Sequence, residues 1–347
     1  MTTHMRAAVM HQPGDIRVED VAKPQLKPGH ALVRIAACGV CGSDIARMLS
    51  KGAHRMPLIC GHEFSGWVAD AAEDVESVSQ GDLVTVPPLI PCFACTQCAR
   101  GNFSLCADYD YFGSRCDGAY ADYVSVPETN LLPVPRGLDP TAAAMVDPAA
   151  IALHAVWRST LRVGQRVAVV GCGPIGLFAI QWALLEGASE VLAVDISAAK
   201  VDMARTAGAT LTATSDEAAL ASGPFDLVIE AAGSPAAEDL AVRLVAPGGA
   251  ASFVGIPNRE VPLGAKTFEH FLRQEITLLG SWNSFSAPFP GDEWRVTLQS
   301  LASGALEWEF MVTHDLPLEK VPKMMEVLGD RSEFTAKVIF RPSPNTP

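Results

Sequence analysis

The stretch Val167-Ala-Val-Val-Gly171-Cys-Gly173-Pro-Ile-Gly176-Leu177 decides the fold. Val167–Val170 is an unbroken apolar run, three of its four residues β-branched, and predicts a strand buried on both faces of a parallel sheet. Gly171, Gly173 and Gly176 form G-x-G-x-x-G where that strand meets a helix. Gly171 permits the tight turn, Gly173 lets the backbone approach a pyrophosphate, and Gly176 allows the helix to pack closely on its strand. The N–H groups of the first helical turn then face the phosphates, with the helix dipole favouring negative charge there. The pattern reads as a dinucleotide seat.

The next segment narrows the dinucleotide. A second strand, Glu190–Val194, follows the predicted helix Pro174–Glu186 and ends in Asp195. A carboxylate there accepts hydrogen bonds from ribose hydroxyls and repels a 2′-phosphate, which favours NAD over NADP. Ile196 and Ser197 stand where an arginine would neutralise that phosphate. The cofactor-binding set is Gly171, Gly173, Pro174, Ile175, Gly176, Asp195 and Lys200.

Working outward, residues 1–152 carry short β-like runs broken by Gly and Pro, among them His30–Ala37, Glu63–Ala71 and Ala121–Val126, and predict a compact, mostly antiparallel barrel. Residues 153–286 alternate strand and helix and predict a doubly wound parallel sheet of six strands. Residues 287–347, with helices predicted at Trp294–Ala302 and Leu318–Leu328 and a strand at Ala336–Phe340, are expected to return to the first domain.

The chain has 347 residues, with 26 Lys plus Arg against 39 Asp plus Glu, a formal charge of −13. No basic run stands out, so neither nucleic acid nor an anionic membrane is an expected partner. The N-terminus lacks a signal-peptide apolar core and no run is long enough to cross a bilayer; the expected location is the cytoplasm. Nine cysteines in such a chain read as thiols or metal ligands before disulfides.

Cys92, Cys95, Cys98 and Cys106 form C-x2-C-x2-C-x7-C. Four thiolates so spaced can close a tetrahedral zinc site that pins a loop with little apolar content of its own, a structural role because no position is left for substrate. The competing readings are two disulfides and an iron–sulfur cluster, whose bacterial run has a shorter last gap followed by Pro. A second constellation is Cys41-Gly-Ser-Asp44 with Gly61-His62-Glu63. Thiolate, imidazole and carboxylate are the ligand types of a catalytic zinc site with an open position.

Cys38-Gly-Val-Cys41-Gly-Ser-Asp44, Gly61-His62-Glu63-Phe-Ser-Gly66, the four-cysteine loop and Gly171-Cys-Gly173-Pro-Ile-Gly176 occur in this order. On these motifs the chain resembles the zinc-dependent medium-chain dehydrogenases over essentially its whole length, and within them the polyol branch. The resemblance implies an α/β protein: a GroES-like β-barrel catalytic domain plus a Rossmann-type cofactor domain. It implies NAD and two zinc ions per subunit, with Cys41, His62 and Glu63 at the catalytic zinc. In Met145-Val-Asp147-Pro148, Asp147 stands where relatives carry a glutamate that contacts the metal or its water. Ser43 matches the hydroxyl that bonds the substrate oxygen and starts proton relay, and His54 belongs to that relay or lines the pocket. Arg47 and Arg115 are the candidates to pair with a sugar phosphate, Cys116 standing where relatives carry a second arginine. Trp282 and Asn283 match a stretch lining the polyol pocket.

The implied reaction is oxidation of a secondary alcohol of a small-molecule polyol or polyol phosphate to the ketose, with galactitol 1-phosphate as the first substrate it suggests. A free hexitol or pentitol comes second and a threonine-dehydrogenase-like activity third. An NAD-binding scaffold or sensor without turnover is the alternative outside the enzymes. Homo-oligomerisation, as a dimer or tetramer, is implied through the sheet end near Ile276–Leu279.

Overall fold

The computed structural model describes residues 3–257, 259–261 and 263–342; the last five residues of the predicted C-terminal segment lie outside these. The chain divides into two compact units, Met1–Asp147 with Phe285–Pro347, and Pro148–Ser284. The sequence reading sets these limits after 152 and 286. In the structure the first falls inside the opening turn of the helix Val146–Arg158.

The first unit is built on strands β1 (His4–Gln12), β2 (Asp15–Ala22), β3 (His30–Gly39), β4 (Leu58–Ile59), β5 (Glu63–Ala71), β6 (Leu83–Val86), β7 (Leu89–Ile90), β8 (Asp110–Tyr111), β9 (Tyr123–Pro127) and β10 (Leu132–Pro133). The second holds the parallel sheet of β11 (Arg166–Val170), β12 (Glu190–Val194), β13 (Leu211–Ala213), β14 (Phe225–Glu230), β15 (Val245–Phe253) and β16 (Thr277–Gly280), in the order β13-β12-β11-β14-β15-β16. Strands β17 (Val312–Pro317) and β18 (Lys337–Arg341) then join the first unit's large sheet, β10-β6-β5-β3-β18-β17, with β9 paired to β3.

Register decides where the chemistry falls in the first unit. β3 and β5 run antiparallel with Gly39 opposite Glu63, so Cys41, just past β3, and His62, just before β5, leave the sheet at the same end. β18 pairs β3 with Ile339 opposite Gly39, which brings Lys337 to that end too. Behind it Ile35, Phe64, Val84, Tyr120 and Phe340 are buried in one apolar cluster, each large side chain contributing about 1.5–3 kcal/mol.

In the second unit β11 and β12 are apolar on both faces, as covered parallel strands must be. The strand order reverses between β11 and β14, which makes the carboxyl ends of these two strands the place for a ligand. Helices Asp216–Ala221 and Ala265–Arg273, which the sequence reading passes over, complete this unit. Among the described residues no helix is long and apolar enough to cross a membrane.

Candidate active site

Cys41 precedes the short helix Gly42–Ala46, whose third residue, Asp44, is wholly buried. Asp44 gathers four donors: the Cys41 backbone N–H at 3.2 Å, Arg47 Nη1 at 2.7 Å, Tyr120 Oη at 3.2 Å and His62 Nδ1 at 3.2 Å. With Nδ1 donating to a carboxylate, the ring is fixed in orientation, as metal-bound imidazoles are, and Nε2 is the nitrogen that would exchange its proton for a metal. Burial alone would raise the Asp44 carboxyl, but His62 and Arg47 hold it below the usual range. Burial likewise works against a charged His62, yet Asp44 and Cys41 raise its pKa well above the ordinary value.

One ligand atom each from Cys41, His62 and Glu63 lies within 4.8 Å of the others. A field that holds a proton on a buried imidazole is one that favours a cation, so the donor set fits a zinc ion. Asp147 is not grouped with these three; its two carboxylate oxygens, both buried, find no partner among the described residues. Burial pushes its pKa up to about 7, with His62 and Glu63 among its electrostatic neighbours. Glu63 is already engaged: Lys337, only 1 % exposed, donates Nζ to Glu63 Oε2 and, at 3.2 Å, to the Val40 carbonyl.

Of the other expected residues in this unit, Ser43 is half-buried in the first turn after Cys41, and His54 is exposed on the loop that follows. Arg47 is spent on Asp44. Arg115 is half-buried, lies 4.4 Å over the Tyr109 ring, and its Nε has no partner among the described residues. Tyr109 meets Tyr111 edge-on at 6.4 Å, and Tyr111 meets His62 at 5.6 Å, so an aromatic path leads from the metal cluster to the one arginine of the expected pair without a carboxylate partner among the described residues.

The four-cysteine lobe is a separate cluster. Sγ of Cys106 stands 3.4 Å from that of Cys92, Cys95 3.6 Å from Cys98, and Cys92 3.9 Å from Cys98. A disulfide needs about 2 Å, whereas a zinc tetrahedron with Zn–S near 2.3 Å has S···S edges of about 3.8 Å. All nine cysteines are unbridged. Backbone N–H groups, first that of Ala107, hold the Cys95 thiol down to about 6, ready to act as thiolate.

In the second unit Gly171 has φ +102°, and a Cβ on it would stand 2.7 Å from Ala232 N. Gly176 leaves even less room, 1.8 Å from the Gly171 carbonyl oxygen, while the space beside Gly173, before the helix Pro174–Leu185, is open. Pro174 and Ile175 begin that helix. Asp195 follows β12 and accepts from Cys172 N and Ser197 N, both at 2.9 Å, which leaves lone pairs for ribose hydroxyls. Ile196 beside it is 92 % exposed, an apolar face that the sequence reading used only as a missing arginine. Lys200 is half-buried on the helix Ala198–Thr206. Trp282 is exposed, and Asn283, at φ +56°, has a side-chain nitrogen with no partner among the described residues.

Two residues of the metal cluster carry no role in the sequence reading. Asp44 had a signal, an acidic residue three positions past the helix cap, where a capping box puts one. Lys337 had a weaker one, a lone cation opening the apolar run Val338-Ile-Phe340.

Residues 27–136 match the alcohol dehydrogenase GroES-like domain and residues 174–302 the zinc-binding dehydrogenase domain. Galactitol 1-phosphate 5-dehydrogenase of Escherichia coli is 35% identical over 97% of this chain and all of its own. The chain belongs to the zinc-binding medium-chain alcohol dehydrogenases. The crystal structure of the E. coli galactitol-1-phosphate dehydrogenase superposes with a TM-score of 0.93 at 34% identity, covering 97% of this chain and 100% of that one. A zinc-binding dehydrogenase from Sinorhizobium meliloti, solved with NADP bound, gives 0.90 at 30% identity over 98% and 100%. Like these relatives, the chain is an alcohol dehydrogenase that uses zinc and a nicotinamide dinucleotide, in the GroES-like plus Rossmann-type architecture expected from its motifs.

Proposed function

We propose that the enzyme oxidises a secondary alcohol of a sugar-alcohol phosphate, of which galactitol 1-phosphate is the first choice, to the ketose phosphate with NAD as acceptor. The observation that carries this reading is Arg115, held on Tyr109 with Nε unpartnered, in the same unit as Cys41 and His62. A guanidinium without a carboxylate partner among the described residues is suited to pair with a phosphate, and one relative is named for a phosphorylated substrate.

When bound, the metal acidifies the substrate hydroxyl as a Lewis acid and the dinucleotide takes up the hydride. Cys41, His62 and Glu63 offer thiolate, imidazole and carboxylate to that metal, and Asp147 a further carboxylate whose oxygens have no partner among the described residues. Asp44 keeps His62 in the binding tautomer. Ser43 receives the hydroxyl proton and passes it toward solvent. Asp195 accepts from the adenosine ribose, and its charge disfavours a 2′-phosphate. The unbridged thiols suit a reducing compartment, and the proposed location is the cytoplasm.

The test is NADH formation on galactitol 1-phosphate beside galactitol, and on other hexitols and pentitols beside their phosphates, with NADP run in parallel. Selective turnover of the esters is expected, and Arg115→Ala should raise KM for the ester about 10–100-fold, the worth of a charge-assisted contact, with no change on a free polyol. Turnover confined to free polyols would sink the phosphate reading. That second reading, a free hexitol as substrate, draws on Arg47, whose pairing with Asp44 leaves one cation where two were expected.

We also propose that a second copy pairs along β16. This edge strand leaves Thr277, Leu278 and Gly280 exposed at the end of the sheet, and an edge of that kind is covered in solution by a symmetric partner. Light scattering should give at least twice the chain mass, and Leu278→Asp should halve it; a monomeric wild type would rule the pairing out.

A further inference from the structure

Glu230 closes β14 and is wholly buried, in the unit that holds none of the residues used above as metal ligands. Its Oε1 accepts from the backbone N–H groups of Ala232 and Gly233, each at 2.8 Å. Its own carbonyl accepts from Val254 N at 2.9 Å and Gly255 N at 3.1 Å, just past β15. Its Oε2 finds no partner among the described residues. Burial raises the carboxyl above its usual range, against the pull of the Gly233 and Ala232 N–H groups. A buried carboxyl is costly to keep where a smaller residue would fill the space, so what it holds in place is informative.

The surrounding glycines show how tightly it is held. A Cβ on Gly255 would lie 2.5 Å from Glu230 Oε2 and 2.3 Å from Gly233 N, and one on Gly233, at φ +63°, would lie 2.6 Å from the Ile256 carbonyl oxygen. The turns after β14 and β15 are thus interlocked around one side chain. On its other flank the turn after β14 meets the dinucleotide seat. Ala231 N donates to Val170 O at 2.8 Å, and the position a Gly171 Cβ would take is 2.7 Å from Ala232 N. β11 and β14 are the strands between which the sheet order reverses.

We infer that Glu230 is a positioning residue for the dinucleotide: by gripping Ala232 N and Gly233 N it fixes the turn that backs the first glycine of the phosphate-binding loop. It touches no substrate and no reacting atom. It sets the height of the crevice floor against which Gly171–Gly173 must settle when the pyrophosphate arrives. The role needs an acceptor at Oε1 rather than a charge, because both gripped groups are N–H donors.

The experiment is a titration of NADH against wild type, Glu230→Ala and Glu230→Gln, with steady-state kinetics and zinc content on the same preparations. Glu230→Ala should weaken NADH about tenfold and raise KM for the dinucleotide by the same factor. Its kcat at saturating cofactor should stay within about twofold, and its zinc content should not change. Glu230→Gln retains an acceptor for both N–H groups and should bind NADH within about threefold of wild type. Wild-type NADH affinity in Glu230→Ala, whatever its melting temperature, would overturn the inference, as would a Glu230→Gln variant as weak as Glu230→Ala. Should Glu230→Ala fail to fold, Gly255→Ala presses on the same carboxyl and on Gly233 N. Weakened NADH binding in that variant upholds the role, and unchanged binding overturns it.

Discussion

Cys41→Ala is expected to lower kcat/KM by about 10³-fold or more and to reduce the bound zinc from two ions per chain to one. The cluster supplies one donor each from Cys41, His62 and Glu63, and Glu63 is already paired with Lys337. Without the thiolate, only two donors of that set, His62 and Glu63, are left to hold an ion that ordinarily takes three protein ligands. Losing a Lewis acid at the reacting oxygen removes several kcal/mol of transition-state stabilisation, and each 1.4 kcal/mol is a factor of ten in rate. The second ion stays because the lobe of Cys92, Cys95, Cys98 and Cys106 closes on itself. Metal analysis and NADH formation on one preparation check both halves. A variant that keeps both zinc ions, or keeps its rate with one, would show that Cys41 is not a ligand of the reactive metal.

What the sequence revealed of this site and what it hid have a common cause. Metal ligands come from a short list of residue types, so Cys41, His62, Glu63 and the four-cysteine loop stand out in a linear string. The parallel sheet was equally open to reading, because β11 and β12 are short apolar runs with a glycine turn or an aspartate at their ends. The helix Ala265–Arg273 is absent from that reading, although Phe268, Phe271 and Leu272 recur at helical spacing and make it strongly amphipathic; it spans only nine residues, and Phe268 and Leu272 are exposed rather than packed into a core. Arg47 shows the opposite limit. Its charge suggested a phosphate, and only the fold reveals that Asp44 has claimed it. Residues that act through another side chain depend on register, and register is set by strand pairs drawn from distant parts of the chain. Glu230 and Lys337 belong to this class, the second because β18 returns to β3 with Ile339 opposite Gly39.

Lys337→Met is expected to destabilise the first unit by about 3–5 kcal/mol in zinc-free protein, the usual consequence of removing one partner of a buried ion pair. Lys337 is 1 % and Glu63 3 % exposed, so no water reaches the carboxylate that is left behind. Methionine fills most of the lysine's volume, which separates loss of charge from loss of packing. Two further measurements decide whether charge is the cause. Glu63→Gln combined with Lys337→Met removes both charges and should recover at least half of the loss, since a buried pair replaced by neutral groups often costs little. Zinc should also rescue the single variant. The Glu63 carboxylate lies within 4.8 Å of the Cys41 and His62 donors, so a divalent cation there supplies the charge that lysine no longer does. Thermal melts of the single and double variants, with chelator and with zinc, then give a definite ordering. The single variant is the least stable with chelator, and the gap between it and wild type narrows with metal. An equal gap in both conditions, or a double variant no more stable than the single one, would mean that Lys337 supports packing alone and that Glu63 does not face the metal.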